Sequence, residues 1–328
     1  MYKQILNSIL KRMQKKHPGK LMYFPDKISI ETGNICNLSC PLCPTNNESQ
    51  AHIEKGLLSV ENFKIIFDKI KPFIKTIDLF SWGEPFLNKD IGSIIHYAKA
   101  EKPRVRIVID SNFNIVSDKQ MYEIVQNKLD VLKISCDGAT QKTYEKYRRG
   151  GNLNNVLRNL EKLLAKKKEL NANNPKIVLK YIVFKHNQQE VERAKNIAIE
   201  KGIDFEVSGM RIDCGKEIFE DVESSVERDK EWIPDISEYN NYQDLKVRKK
   251  FCEKPWKTMA INFNGDVVPC GAIYNCGKYK FGNLLKQDFN DVWNGENYVL
   301  AREIICGKND DGRDLICYIC KQNGYQLF

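Results

Sequence analysis

Between Lys27 and Gly209 the sequence repeats one unit, a short apolar run followed by a loop and an amphipathic stretch. The runs are KISIE (27–31), TIDLF (76–80), VRIVID (105–110), VLKISC (131–136), IVLKYIVF (177–184) and DFEVS (204–208). Between them, VENFKIIFDKIK (60–71) sets Phe63, Ile66, Phe67 and Ile70 on one helical face. VLRNLEKLLAKKK (156–168) and VERAKNIAIEKG (191–202) do the same, and Gly202 is a stop signal. Six such units predict an α/β domain built on a parallel sheet. A complete eight-unit barrel takes about 250 residues. Residues 27–209 are too few for that, so a partial six-stranded, (β/α)6 TIM-like barrel fits, with a doubly wound open sheet as the alternative.

In parallel barrels chemistry gathers at the C-terminal ends of the strands. The unusual residues of this chain fall there. The first run leads to Cys36, Cys40 and Cys43, and the second runs into Ser81-Trp82-Gly83-Glu84-Pro85. The third ends in Asp110-Ser111-Asn112 and the fourth in Ser135-Cys136-Asp137-Gly138. The sixth leads to Arg211, Asp213 and Cys214. One rim thus collects the reactive groups.

The flanks are simpler. Residues 1–26 read as an amphipathic helix packed on the domain through Ile5, Ile9, Leu10 and Met13, with a membrane-surface role as the lesser reading. Residues 27–215 form the barrel, 216–250 a charged connector interrupted by Pro234, and 251–328 a small second domain. There, Ile261–Val268 reads as a hairpin whose Asn264-Gly265 pair makes a type I′ turn, followed by a short helix around 288–294. The start lacks the apolar segment of a signal peptide, and no run reaches the ~18 apolar residues of a membrane span. The expectation is a cytoplasmic protein with no membrane partner. A net charge of +9 is compatible with an anionic substrate. The interleaved aromatic and basic stripe of single-strand binders is missing, which argues against nucleic acid.

Eleven cysteines without an export signal point to metal or redox chemistry. Three thiolates on one short loop suit two different sites. A structural zinc closes with four ligands, and His52 is the nearest candidate for the fourth. A four-iron cube held by three thiolates leaves one iron open to another ligand. Further on, Cys252 precedes the hairpin, Cys270 follows it, and Cys317 and Cys320 stand two residues apart. Such a set can gather four thiolates around one centre, iron–sulfur or zinc.

Cys36-x3-Cys40-x2-Cys43 after the first strand resembles the signature of radical S-adenosylmethionine (SAM) enzymes. Three more segments stand in that family's order. Gly83-Glu84-Pro85 is similar to its GGEP element, with Trp82 in place of the first glycine. Ser111-Asn112 and Ser135-x-Asp137-Gly138 resemble its ribose-facing residues, and Tyr144 to Gly150 its Tyr-x-x-x-Arg-x-Gly segment. The resemblance implies a [4Fe–4S] cluster on Cys36, Cys40 and Cys43 whose open iron takes the amino and carboxylate groups of SAM. It implies that residues 83–85 meet the SAM amino group, Arg148 its carboxylate, and Leu42 and Val183 its adenine. The C-terminal cysteines, with Gly282-Asn283-Leu284 and Val292-Trp293-Asn294-Gly295, look like the shortened SPASM, or twitch, domain. That implies an auxiliary [4Fe–4S] cluster on Cys252, Cys270, Cys317 and Cys320, with Cys276 and Cys306 unliganded.

The activity implied is cleavage of SAM to a 5′-deoxyadenosyl radical that takes a hydrogen atom from substrate. The expected outcome is oxidation of a small or sugar-like molecule, similar to the aminocyclitol dehydrogenase of butirosin biosynthesis. Arg211 and Asp213 are candidates for binding substrate or taking its proton. Epimerisation is the alternative, with Cys214 returning a hydrogen atom; an incidental loop thiol is the plainer reading of that residue. Peptide or protein maturation is a third possibility, and a zinc-based binding protein is the rival from another class. Partners implied are a small-molecule or peptide substrate and an electron donor such as flavodoxin or ferredoxin.

Overall fold

The structure, a computed structural model, describes residues 2–13, 17–46, 54–211, 221–242, 251–271, 279–311 and 315–323. A helix α1 (Tyr2–Met13) precedes the alternating region, which runs β1 (Lys27–Ile30), α2 (Val60–Ile70), β2 (Thr76–Asp78), α3 (Ile91–Glu101), β3 (Arg106–Ser111) and α4 (Asp118–Gln126). It continues through β4 (Val131–Ser135), α5 (Gln141–Tyr147), α6 (Leu153–Glu169), β5 (Lys176–Val183), α7 (Val191–Glu200) and β6 (Asp204–Gly209). After α8 (Val222–Arg228) come α9 (Lys254–Lys257), β7 (Thr258–Ile261), β8 (Asp266–Val268), β9 (Gly282–Asn283), α10 (Phe289–Trp293), α11 (Glu296–Ile305) and α12 (Ile316–Gln322).

The strands form one nine-stranded sheet in the order β6-β5-β4-β3-β2-β1-β7-β8-β9. Strands β1 to β6 pair in sequence and in parallel, as Lys27 with Thr76 and Thr76 with Arg106 illustrate. This is the partial barrel, not the doubly wound alternative. Side-chain alternation sorts each strand into two faces. Ile28, Ile77, Leu79, Ile107, Ile109, Leu132 and Ile134 join Phe63, Ile66, Phe67 and Ile70 of α2 in the main core. The other face carries Val108, Val131 and Val178, which pack with Phe80 as a separate small cluster. Beside that plug the face is ionic. Lys27 pairs with Asp78 at 2.8 Å, Lys180 with Asp110 at 2.6 Å and Lys133 with Glu206 at 2.5 Å.

The C-terminal hairpin is annealed to the barrel. Strand β7 lies parallel to β1 over four pairs, from Lys27–Thr258 to Ile30–Ile261, and β8 folds back against β7. The turn between them is not type I′. Only Gly265 takes a positive φ, +83°, and its N–H bonds to Asn262 O at 2.9 Å. Asn264 stays at negative φ, so one left-handed residue follows a tight turn, the arrangement of a longer hairpin loop.

Helix α1 also departs from expectation. Leu10 is half-buried against the main core as expected, but Ile5, Ile9 and Met13 do not pack on the barrel; they are 55%, 51% and 76% exposed. Polar groups complete the docking of the helix. Asn7 exchanges two hydrogen bonds with the Phe24 backbone, and Gln4 Nε2 donates to Ile74 O. The segment after it is tied to the C-terminal part through the buried Arg302. Its guanidinium stacks 4.5 Å from the Trp293 ring and donates to the carbonyls of Pro255, Gly19 and Trp293. Among the described residues no helix is long and apolar enough to cross a membrane.

Candidate active site

The loop after β1 is shaped by its own backbone and by its neighbours. Cys43 N–H bonds back to Cys40 O at 3.1 Å, and Leu38 N–H points at Cys36 Sγ at 3.4 Å. Ser39 N–H is clipped to Arg149 O at 3.0 Å, just past α5. Asn112, at the end of β3, reaches the loop with its amide, 3.0 Å from Asn37 Oδ1 and 3.8 Å from Cys36 Sγ. Burial pushes the Cys36 thiol up to about 12 and the Cys40 thiol up to about 11, the latter against the pull of Arg148. Thiols in such a place ionise when a metal displaces the proton.

The Gly83-Glu84-Pro85 segment lies against this loop. Gly83 holds φ at +91°, and a Cβ there would sit 2.3 Å from Gly33 O and 2.8 Å from Ile35 O. Only glycine permits that approach. Glu84 N–H then bonds to Ile35 O at 2.8 Å. The Glu84 carboxylate is buried and takes Ser111 Oγ–H (2.7 Å), Phe86 N–H (3.0 Å) and Asn112 N–H (2.8 Å). Burial pushes its carboxyl up to about 7 despite those donors. Glu84 thereby fastens the end of β2 to the end of β3.

These residues border a cavity of about 380 Å³ at the C-terminal ends of the strands. Cys36, Leu42, Cys40, Cys43, Gly83, Glu84, Ser111, Asn112, Ser135, Arg148 and Arg211 all line it. Pro85 is buried behind it and starts the short 3-10 turn Pro85–Leu87. Asp137 is fully buried beneath the wall. Its Oδ1 accepts from Ile182 N–H at 2.7 Å and its Oδ2 from Arg148 Nε at 2.6 Å. Val183 is not on the cavity. Strand alternation turns it into the helix layer with Tyr181, Val191 and Ala194, and brings Ile182 and Phe184 to the wall instead. Asp213 and Cys214 lie outside the described residues, as do His52 and Cys276.

Some lining groups were missed in the sequence. Lys180 is one: it forms a half-buried ion pair with Asp110, a strand-end residue already expected on this rim, and Ser135 Oγ donates to Asp110 at 2.7 Å. Burial raises the Asp110 carboxyl, and Lys180 more than offsets this, leaving it below the ordinary value. The signal was a lone lysine in the apolar run IVLKYIVF, at the inward-facing phase. The aromatic wall was less legible. Tyr147 and Phe184 meet at 4.0 Å, and Trp232 packs on both at 5.7 and 5.9 Å. Leu42 belongs to the same buried cluster. Trp232 comes from the segment read as a mere connector.

A second centre lies in the C-terminal part. The Cys317 thiol is raised far above its ordinary value by burial, with Cys270, Cys320 and Cys252 all close enough to add to the rise. Nearby, Tyr298 is fully buried on α11, and its hydroxyl has no hydrogen-bond partner among the described residues. Cys317 and Cys270 bear on its titration as well. A buried hydroxyl without an acceptor carries an energetic penalty, and sulfur atoms of a bound cluster are the acceptors this place offers. Four thiols and an orphaned donor fit an iron–sulfur cluster. At the barrel rim, the open cavity beside three loop thiols, with Arg148 on its wall, likewise fits a cluster together with a small zwitterionic cofactor.

Known proteins agree with this geometry. Residues 30–172 match the radical SAM superfamily, and residues 252–321 match SPASM, described as an iron–sulfur cluster-binding domain. The Fe-coproporphyrin III synthase of Methanosarcina barkeri is 30% identical over 142 residues, 42% of this chain and 34% of that protein's length. The GTP 3′,8-cyclase of Clostridium perfringens is 24% identical over 297 residues, 85% of this chain and 88% of its own. Among solved structures, Streptococcus suis SuiB bound to S-adenosylmethionine matches with a TM-score of 0.62 at 16% identity, over 97% of this chain and 74% of SuiB. BtrN in complex with AdoMet and 2-DOIA matches with a TM-score of 0.52 at 15% identity, over 90% and 92%. At such identities the two structures speak to fold alone. The chain thus carries a radical SAM domain over residues 30–172, of the kind that binds SAM and a [4Fe–4S] cluster, and a SPASM iron–sulfur cluster-binding domain over residues 252–321.

Proposed function

We propose that the chain oxidises a small, polar, sugar-like substrate, with an auxiliary [4Fe–4S] cluster on Cys252, Cys270, Cys317 and Cys320 as the acceptor of the second electron. The carrying observation is the ionic floor of the cavity, Lys180–Asp110–Ser135, on the same opening as Cys36, Cys40 and Cys43. When bound, SAM and its cluster supply an adenosyl carbon radical that takes one hydrogen atom from substrate. This chain's residues have the remaining work. Asp110, kept ionised by Lys180, accepts a hydrogen bond from a substrate hydroxyl, and Lys180 donates to a neighbouring oxygen. Arg211 stands at the rim to hold a further polar group. Ile182, Phe184 and Tyr147 exclude water from the apolar wall. The hydroxyl proton leaves through the Asp110–Lys180 pair. Cys252, Cys270, Cys317 and Cys320 would hold the auxiliary cluster, which would supply an acceptor for the second electron; ligation by four thiolates would favour electron transfer over substrate binding.

The test is anaerobic reconstitution, reduction, and a screen of polyols, aminocyclitols and sugars. The expected product is two hydrogens lighter than its substrate, with one equivalent of 5′-deoxyadenosine that carries deuterium from a C-deuterated substrate. A product of unchanged mass with solvent hydrogen at the reacting carbon means epimerisation and overturns the reading. Lys180→Met should retain uncoupled SAM cleavage and lose substrate-dependent turnover.

Peptide maturation is the second reading, and one feature favours it. Strand β6 ends the sheet, and Val207 and Ser208 on it are exposed. An extended peptide adds to such an edge by main-chain hydrogen bonds. Modification of a supplied peptide, in place of any small polyol, would decide for it.

A further inference from the structure

Helix α1 is attached by its polar side. Gln4 donates to Ile74 O at 2.7 Å, Asn7 exchanges bonds of 2.9 and 2.6 Å with the Phe24 backbone, and Lys11 pairs with Asp26 at 2.9 Å. These anchors follow one another at three and four residues, so they share one face. Tyr2, Ile5, Ile9 and Met13 repeat at the same spacing on the other face. They are 78%, 55%, 51% and 76% exposed, and Leu6 beside them is 41% exposed. A contiguous apolar row left in water marks an interaction surface.

Charge selects the occupant. The first twenty residues contain Lys3, Lys11, Arg12, Lys15, Lys16 and Lys20 and no Asp or Glu, in a chain of net charge +9. A second copy would bring the same cations against each other. A groove that wraps a helix needs more than one strip of it, and here the opposite strip is already committed. An apolar row in a segment whose sequence is rich in Lys and Arg and free of Asp and Glu matches the interface of an anionic bilayer. The placement is favourable too. Phe24, Asp26 and Ile74 precede β1 and β2, so α1 sits at the N-terminal ends of the strands, away from the cavity.

We propose that α1 lies on the surface of an anionic lipid bilayer, its Tyr2–Ile5–Ile9–Met13 row inserted, with the base of the barrel toward the lipid and the cavity facing away. This inference is independent of the proposed substrate. The test is sedimentation of the reconstituted enzyme with sucrose-loaded vesicles of phosphatidylcholine alone or mixed with phosphatidylglycerol. Binding should be about ten-fold tighter to the mixed vesicles and weaken with salt. The double variant Ile5→Asp, Ile9→Asp should lose about ten-fold in binding or more while keeping its SAM cleavage rate. A second variant, Lys15→Glu with Lys16→Glu, should abolish the preference for anionic lipid and leave the fold untouched. Three results would overturn the proposal. One is no binding to either vesicle, and another is binding that the aspartate variant leaves unchanged. The third is a dimer in light scattering that the aspartate variant dissociates, which would make a second copy the occupant.

Discussion

Arg148 holds Asp137 with two guanidinium nitrogens, Nε and Nη2, each 2.6 Å from Oδ2. The carboxylate is wholly buried, and the arginine side chain is 14% exposed. The pair therefore sets where Arg148 stands on the cavity wall, and the same arginine bears on the Cys40 thiol. Removing one partner of a buried pair strands the other charge. Asp137→Ala should lower unfolding stability by ~3–5 kcal/mol in urea titration and weaken SAM binding in equilibrium dialysis. Arg148→Lys keeps the charge without the planar fork, so it should lose SAM affinity with a smaller stability loss.

Gly83 is the point of closest approach between the two loops that border the cavity. Gly83→Ala adds a methyl that meets Gly33 O and requires a left-handed backbone that alanine resists. The reconstituted variant should show reduced iron–sulfur absorbance near the visible shoulder of the wild type, with the C-terminal centre retained. Full incorporation of both centres would show that the loops can part without consequence.

The two sets of cysteines make separable predictions. Replacing Cys36, Cys40 and Cys43 with alanine should remove about four irons per chain and abolish 5′-deoxyadenosine formation. Replacing Cys252, Cys270, Cys317 and Cys320 should also remove about four irons, yet leave uncoupled SAM cleavage measurable. Iron and sulfide analysis, with electron paramagnetic resonance of the reduced protein, distinguishes the two.

Burial pushes the carboxyl groups of Glu31 and Glu84 up to about 7 from an ordinary 4.5. The folded chain binds their protons more tightly than the unfolded one. Their stabilising contribution is therefore complete below about 4.5 and is lost as pH rises through about 7. Urea unfolding of the cluster-free chain should show stability falling by a few kcal/mol between those limits. Glu31→Gln should flatten about half of that slope. A stability that rises over the same range would contradict the assignment.

Much of this protein was legible in one dimension. Apolar runs such as TIDLF and VRIVID alternate with helices whose faces repeat every three or four residues, and hydrophobic burial leaves such a pattern few ways to fold. The cysteine loop, Gly83-Glu84-Pro85 and the strand-end residues reach one cavity because a parallel sheet carries every strand's C-terminal end to the same rim. Other features depended on contacts between distant segments. Val183 and Phe184 exchange inside and outside through a single residue of strand phase, which composition does not reveal. Trp232 comes to back the aromatic residues of the cavity wall only when its segment folds back over Phe184. The hairpin's attachment to β1 and the inverted docking of α1 are choices among partners. Local sequence sets which face is apolar, whereas the burial of that face is decided by the shape and hydrogen-bonding groups of what it meets.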